Sequence, residues 1–380
     1  MSNVGPSERR PIARPEALAV ALDAVCQGAV GRRGAPGHVL AGVWTLDGSF
    51  QWQGSAAPHE PAPALSAHYR IASVSKLFTA TLVMTLVEEG LLGLTTPVVA
   101  LLPELAGTGL HRWRGRDFTD DLTLAHLLGH TSGLADYFEG RPRGGRSIMD
   151  RIYGGEDVNY DLDEVLRIVR EDLSPAGPPL PADAQGRSVR YSDTNYQLLG
   201  AVVARVTGQS FAEALQRRLL EPLGLQDTWV VTAEGSDGNP TPIYTGQRLL
   251  DLSQALRSEG PSGGMVSTLA DQRTFLVALG RGAVFRSPET WARMTGAMNR
   301  IWFPLQMGLG VMRIPRSRLL SPYRPAPDLL GHSGSTGSWA YLCPTLGAAF
   351  AGTVDRTRPR ALPVQVLLRM TRLVDAAQRA

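Results

Sequence analysis

The chain has 380 residues, of which 43% are hydrophobic and 19% charged, and a formal net charge of +3. That length and apolar content support a large folded core and exclude a mainly disordered protein. The basic residues are scattered rather than gathered into one stripe, which argues against a nucleic-acid partner and favours a small molecule or short peptide.

In chain order, residues 1–15 are polar and arginine-rich, with no apolar run before a small-residue cleavage site, so a cytoplasmic location is expected. Residues 15–30 carry apolar side chains at helical spacing and give way at Pro36-Gly37, which predicts an N-terminal helix. Residues 38–46 and 51–57 read as two strands joined across Asp47-Gly48, a dipeptide that favours a hairpin. Residues 73–89 are apolar on nearly all sides and end at Gly90, the pattern of a helix buried between layers. Glu88 and Glu89 interrupt that run before the roughly 18 residues a membrane span needs, so no membrane partner is expected. Helical patterns follow at 122–128, 162–170, 197–206 and 210–219, with a Pro/Gly/Ala-rich surface loop at 174–187 leading to Tyr191. Residues 308–314 and 337–354 have strand-like composition, and 362–379 reads as a closing amphipathic helix. The division expected is an α/β sheet domain from residues 1–90 and 255–380, with a helical domain at 91–254 inserted. Cys26 and Cys343 lie far apart without metal-ligand spacing and read as free buried thiols.

The chemistry begins at Ser73-Val74-Ser75-Lys76. A spacing of three puts a hydroxyl and an amine on one helix face, and the helix N-terminus favours a developing alkoxide, which together suit an activated nucleophile. The same residues also fit a capping serine followed by a surface lysine. Lys76 is the only lysine in the chain; arginine serves wherever charge alone is wanted. A guanidinium does not release its proton in a protein whereas an amine can, so the single lysine is a candidate for proton transfer.

Two later segments, Tyr191-Ser192-Asp193 and His332-Ser333-Gly334, follow in order. With S-x-x-K they resemble the serine β-lactamase and penicillin-binding-protein superfamily. The nearest branch holds class C β-lactamases, D-alanyl-D-alanine carboxypeptidases, D-aminopeptidases and β-lactamase-fold esterases. Further likeness lies in 123–134, which ends His130-Thr131-Ser132-Gly133-Leu134, in 263–268 and in 308–310, so that it runs from about residue 40 to 352. The resemblance implies a largely antiparallel sheet flanked by helices with an inserted helical lobe, and the site in the cleft between them. It implies that Ser73 attacks a carbonyl, that Lys76 and Tyr191 share the proton lost, and that the backbone N–H groups of Ser73 and Ser335 hold the oxyanion. Which of Lys76 and Tyr191 is the main base stays open. A cation is needed to lower the pKa of Tyr191, and Lys76 is the one available, so the two are expected to titrate as a coupled pair.

Two residues depart from the lactamase pattern. His332 stands where a lysine binds the substrate carboxylate, and an imidazole neutral for much of the time at pH 7 weakens that contribution. Asp193 stands where asparagine donates to the substrate amide; ionised, it only accepts. It suits holding Lys76 protonated, receiving a substrate amine, or filling the asparagine's packing role. Gly334 and the aromatics Tyr69, Tyr137, Phe138, Trp302 and Trp339 are candidates to line the substrate pocket. His126 and His130 are four apart, but no zincin glutamate lies between them, and a structural role is expected. Gly331-His332-Ser333-Gly334-Ser335 nearly matches a hydrolase elbow, yet no histidine follows it, so Ser333 is a poor nucleophile. The expected activity is a serine hydrolase acting through an acyl-enzyme on small esters or amides, including D-amino-acid peptides. β-lactamase, acyltransferase and non-catalytic binding readings stand as alternatives, and no cofactor or metal is called for.

Overall fold

The computed structural model describes residues 11–30, 37–58, 61–181, 183–233, 235, 238–317 and 325–380. Most of the N-terminal stretch read for targeting lies outside the described residues. The first helix, α1 (Pro15–Ala29), starts with proline at its first position and buries Leu18, Leu22, Cys26 and Ala29 along one stripe. The hairpin follows as β1 (Val39–Thr45) and β2 (Gln51–Ala56), with Gly48 at a positive φ in its turn. A single 3₁₀ turn, Ala72–Val74, leads into α2 (Ser75–Glu88), so Ser73 belongs to the turn before the helix rather than to its first residue. Eleven of the fourteen α2 residues are buried, as expected of a helix apolar all round.

The intervening chain is a series of short helices separated by long irregular stretches. It includes α3 (Leu124–Leu128), α4 (Thr194–Thr207) and α5 (Ser253–Gly263). It also carries two small hairpins, Arg112–Trp113 with Arg116–Asp117 and Tyr244–Thr245 with Arg248–Leu249. After α6 (Leu269–Gly280) the chain returns to the sheet as β3 (Asn299–Trp302), β4 (Leu305–Met307), β5 (Met312–Ile314), β6 (Leu329–Ser333), β7 (Ser338–Cys343) and β8 (Ala348–Thr353), then closes with α7 (Leu362–Arg379). The order across the sheet is β3-β4-β5-β6-β7-β8-β1-β2, every pair antiparallel. Strands from both ends of the chain therefore meet where β8 pairs with β1, Leu40 opposite Thr353.

Strand alternation divides the core in two. Leu40, Trp44, Ala340, Leu342, Ala349 and Ala351 face the helical side, whereas Val39, Val43, Trp339, Tyr341 and Phe350 face α1 and α7. Both layers exclude water, and at about 25 cal/mol per Å² of apolar area this burial is the main force holding sheet to helices.

The strand expected over 308–314 starts only at Met312. Gly310, at φ 75°, turns the preceding loop against α2, where a Cβ would collide with the Cβ of Ala80. Cys26 and Cys343 are free and buried, and burial pushes both thiols up to about 12. Among the described residues no helix is long and apolar enough to cross a membrane.

Candidate active site

The turn that carries Ser73 is strained. Ala72 takes a φ of 44°, a value that residues with a Cβ rarely adopt and that persists only where the surroundings enforce it. The enforcement comes from the β6–β7 turn. Thr336 Oγ1 donates to the Arg70 carbonyl at 2.9 Å, and Ser338 Oγ to the Ile71 carbonyl at 2.6 Å. Gly334 allows this approach, because a Cβ there would lie 2.5 Å from the Ile71 oxygen.

One helical turn after Ser73, the Lys76 side chain is fully buried. Its Nζ donates to Ser73 Oγ at 3.2 Å and to the Ser262 carbonyl at 2.6 Å, and it pairs with Asp193 Oδ1. Three acceptors match the three protons of an ammonium. Asp193 precedes α4, and its backbone N–H donates to Asp136 Oδ1 at 3.1 Å. Burial, reinforced by the charge of Asp193, pushes the Asp136 carboxyl well above the usual range.

Tyr191 reaches the same point from the loop before α4, and Lys76 Nζ lies 5.1 Å from its ring centroid. The expected lowering of its pKa is reversed. Burial comes first and the Asp193 carboxylate second in pushing the phenol well above its ordinary value, and a smaller opposing effect comes from the Ser73 hydroxyl. Lys76 is spent on Asp193, so Tyr191 stands as a neutral phenol. Its hydroxyl is buried and forms no hydrogen bond of full geometry among the described residues.

Two imidazoles flank this phenol. His130 stacks on the Tyr191 ring with centroids 4.2 Å apart, and its Nδ1 accepts the Ser192 N–H at 3.1 Å, which leaves its proton on Nε2. His332 Nδ1 lies 2.9 Å from the Ser333 carbonyl oxygen, an acceptor only, so there the proton sits on Nδ1. Burial, with the Lys76 charge behind it, holds both neutral, His130 well below its ordinary value and His332 at about 3.

A carboxyl with no motif around it underlies the site. Glu259 on α5 is buried, accepts from Tyr137 Oη at 2.9 Å, and is also hydrogen-bonded by the Tyr160 and Ser262 hydroxyls. Burial raises its pKa, and the Asp193 charge adds to this. Since Ser262 supplies a carbonyl to Lys76, Glu259 orders the segment that holds the amine.

Two chambers open from Ser73. One is walled by Ile152, Ile243, Leu250, Leu252, Ala255 and Leu256, with Glu259 also on its surface. The other is mixed in character, and Glu139, Trp302, Met312, Arg356 and Arg360 are among its lining residues. Ser73, Phe138, Tyr153, Asp193, Ser335 and Thr357 belong to both. The backbone N–H groups of Ser73 and Ser335 make no hydrogen bond among the described residues and sit at this junction.

Of the aromatics read as pocket candidates, Phe138 and Trp302 line the cleft. Tyr137, Tyr69 and Trp339 do not. Tyr137 is inside the Glu259 network, Tyr69 is buried in a small strand pairing with Ser267, and Trp339 faces the α1/α7 layer by strand alternation. Gly334 lines the mixed chamber, but His332 is wholly buried behind it, so it presents no cation to a substrate. His126 caps its own helix through Thr123 and contacts the Leu180 carbonyl at 2.8 Å. The Ser333 hydroxyl is spent on Tyr341 at 2.8 Å.

The beta-lactamase family model matches residues 22–365. The chain belongs to the beta-lactamase family. It is 39% identical over 186 residues to Esterase EstB of Burkholderia gladioli, covering 46% of this chain and 43% of that protein. It is 30% identical over 253 residues to Penicillin-binding protein 4 of Amycolatopsis lactamdurans, covering 62% and 57%. The chain thus spans about half the length of these curated relatives. Among solved structures, a D-stereospecific amidohydrolase from Streptomyces sp. superposes with a TM-score of 0.71 at 26% identity, covering 91% of this chain and 97% of that one. A D-amino acid amidase from Ochrobactrum anthropi SV3 superposes with a TM-score of 0.76 at 21% identity, over 96% and 100%, a likeness of fold.

Proposed function

We propose that this chain is a serine hydrolase that cleaves small carboxylic esters or amides through an acyl-enzyme on Ser73. The observation that carries the reading is Ser73 Oγ 3.2 Å from a buried lysine amine, at the point where two chambers and two uncommitted backbone N–H groups meet. An ammonium cannot accept the serine proton. Asp193 touches Lys76 and is the acceptor that converts it to an amine, after which Lys76 takes the Ser73 proton as the oxygen attacks. Negative charge on the tetrahedral oxygen falls to the N–H groups of Ser73 and Ser335. Tyr191, a phenol, gives its proton to the leaving group and recovers it from Lys76; water then releases the acyl group by the same steps.

The apolar chamber suits the acyl portion, whether an aliphatic acid or the side chain of an amino acid. The relatives named for esterase and D-stereospecific amidohydrolase activity support that range. A neutral, buried His332 disfavours substrates that need a carboxylate bound there, as β-lactams do. A cytoplasmic site of action belongs to the same proposal; the unpaired Cys26 and Cys343 are compatible with a reducing compartment, and cell fractionation tests it.

The deciding experiment compares wild type with Ser73→Ala on p-nitrophenyl butyrate and a D-alanyl anilide, alongside labelling by a fluorophosphonate. Turnover and label that both vanish in the variant support the proposal. A folded wild type that neither turns over nor labels overturns it in favour of a binding protein of the same fold.

A further inference from the structure

Beyond the two chambers lies a third cavity, walled by Arg146, Tyr153, Gly154, Thr245, Gly246, Arg248 and Arg358. Tyr153 is common to all three, so this cavity adjoins the space around Ser73. Its charge is one-sided: three guanidiniums line it and no carboxylate does. Arg146 bonds Glu156, which Arg151 shares, whereas Arg248 and Arg358 form no ion pair among the described residues. The mixed chamber carries both signs, Arg360 facing it beside Glu139 and Asp193, and Arg356 is buried with its guanidinium donating to the Ala29 carbonyl at 2.7 Å.

The lining is unusual for a surface that merely needs solvation. Guanidiniums placed together repel one another unless an anion joins them, and their planar forks match the oxygens of phosphate or carboxylate. Thr245 lines the same wall, whereas the Tyr153 hydroxyl is engaged with Ser335 on the Ser73 side. The approach to Ser73 also fixes which end of a substrate comes here. The aliphatic chamber takes the acyl group, which leaves the mixed chamber to the departing alcohol or amine.

We propose that the arginine cavity behind Tyr153 binds an anionic terminus, phosphate or carboxylate, on the leaving-group side of the substrate. This rests on the hydrolase reading above and narrows its substrate class to esters or amides whose leaving group ends in a negative charge. Nothing covalent occurs at the cavity; it supplies binding energy remote from the scissile bond.

The test uses three butyrate esters that share a six-carbon alcohol: hexanol, 6-hydroxyhexanoate and the monophosphate of hexane-1,6-diol. Butyrate release is followed for wild type, Ser73→Ala and the double variant R248Q/R358Q. A tenfold or greater advantage in kcat/KM for an anionic ester, expressed in KM, weakened by salt and reduced towards unity in the double variant, is the expected result. An advantage confined to the phosphate ester identifies a dianion, and one shared with the carboxylate identifies a single charge as sufficient. Equal kcat/KM for all three esters, or an advantage that survives in the double variant, overturns the proposal. Absence of Ser73-dependent cleavage of all three esters is a failure of the hydrolase reading instead. In that event calorimetry with hexyl phosphate decides the cavity alone: binding to wild type that is lost in R248Q/R358Q upholds the anion site, and no binding to wild type sinks it.

Discussion

The Lys76 ammonium is held against the Asp193 carboxylate where neither side chain is more than 7% exposed. Two charges so far from water tolerate one another but not solitude. Truncating one member of a buried pair commonly costs about 3–5 kcal/mol, most of it the penalty of the charge left behind.

Asp193→Ala should therefore destabilise the protein by about that amount in urea denaturation, and Asp193→Asn by less, since an amide oxygen still accepts from Nζ. The double variant K76M/D193N should regain stability but no activity. Equal stability of wild type and Asp193→Ala would show that the pair is not electrostatically isolated.

Gly334→Ala introduces a Cβ 2.5 Å from the Ile71 carbonyl oxygen and closer still to Ser338 Oγ. The Ser73 turn must shift to make room. A displacement of about 1 Å at a reacting group costs on the order of 100-fold in rate, so kcat should fall by about that factor, and the clash with a backbone oxygen should lower stability by about 1–3 kcal/mol in urea. Unchanged kcat would separate the position of Ser73 from the β6–β7 turn.

The neutral, buried His332 makes a prediction in pH. Its folded pKa of about 3 lies below the unfolded value near 6.5, so between these limits the unfolded chain binds the extra proton. Stability from His332 is thus complete above pH 6.5 and is lost as pH falls towards 3. Asp355, pushed up to about 7 by burial, acts with the opposite sign over part of that range. Comparison with His332→Gln cancels it. The stability of wild type minus variant should rise with pH between 4 and 6.5, by at most about 1.4 kcal/mol per unit, and then level off. A flat difference from pH 4 to 8 would mean the imidazole is solvated in the folded protein.

Ala255 lines the apolar chamber and is almost fully buried. Ala255→Phe should shorten the acyl chain accepted, lowering the kcat/KM ratio of hexanoate to acetate p-nitrophenyl esters by about tenfold or more, since each methylene is worth about 1–3 kcal/mol of discrimination. The same ratio in both enzymes would place the acyl group in the mixed chamber.

What the sequence made legible was what local chemistry dictates. Ser73 with Lys76, Tyr191 with Asp193 and the Gly334 turn were visible because fixed spacing and scarce residue types mark them. The closing helix was legible to the residue, over Leu362–Arg379, since its periodicity is strong. Glu259 was not legible. It gains its place from Tyr137 and Tyr160, about a hundred residues earlier, and no local pattern announces such a meeting. Trp339, read with the other aromatics as a pocket candidate, falls on the α1/α7 side, because in a strand each step of one residue reverses the face. The direction of the Tyr191 shift was misread because burial comes first in raising it and the Asp193 carboxylate second, and the depth of burial is a property of the fold rather than of the local sequence.

The burial of Lys76 has a practical consequence because the chain contains no other lysine. The folded protein offers reagents for primary amines no ε-amino group, only its α-amine. In Ser73→Ala, which removes the hydroxyl that an acylating reagent would also take, acylation at a second site, read by intact mass, therefore requires α2, which follows the nucleophile's turn, to part from its neighbours. The chain holds its own single-atom gauge of opening at the centre of the site, one that counts excursions of the catalytic core and is blind to fraying everywhere else.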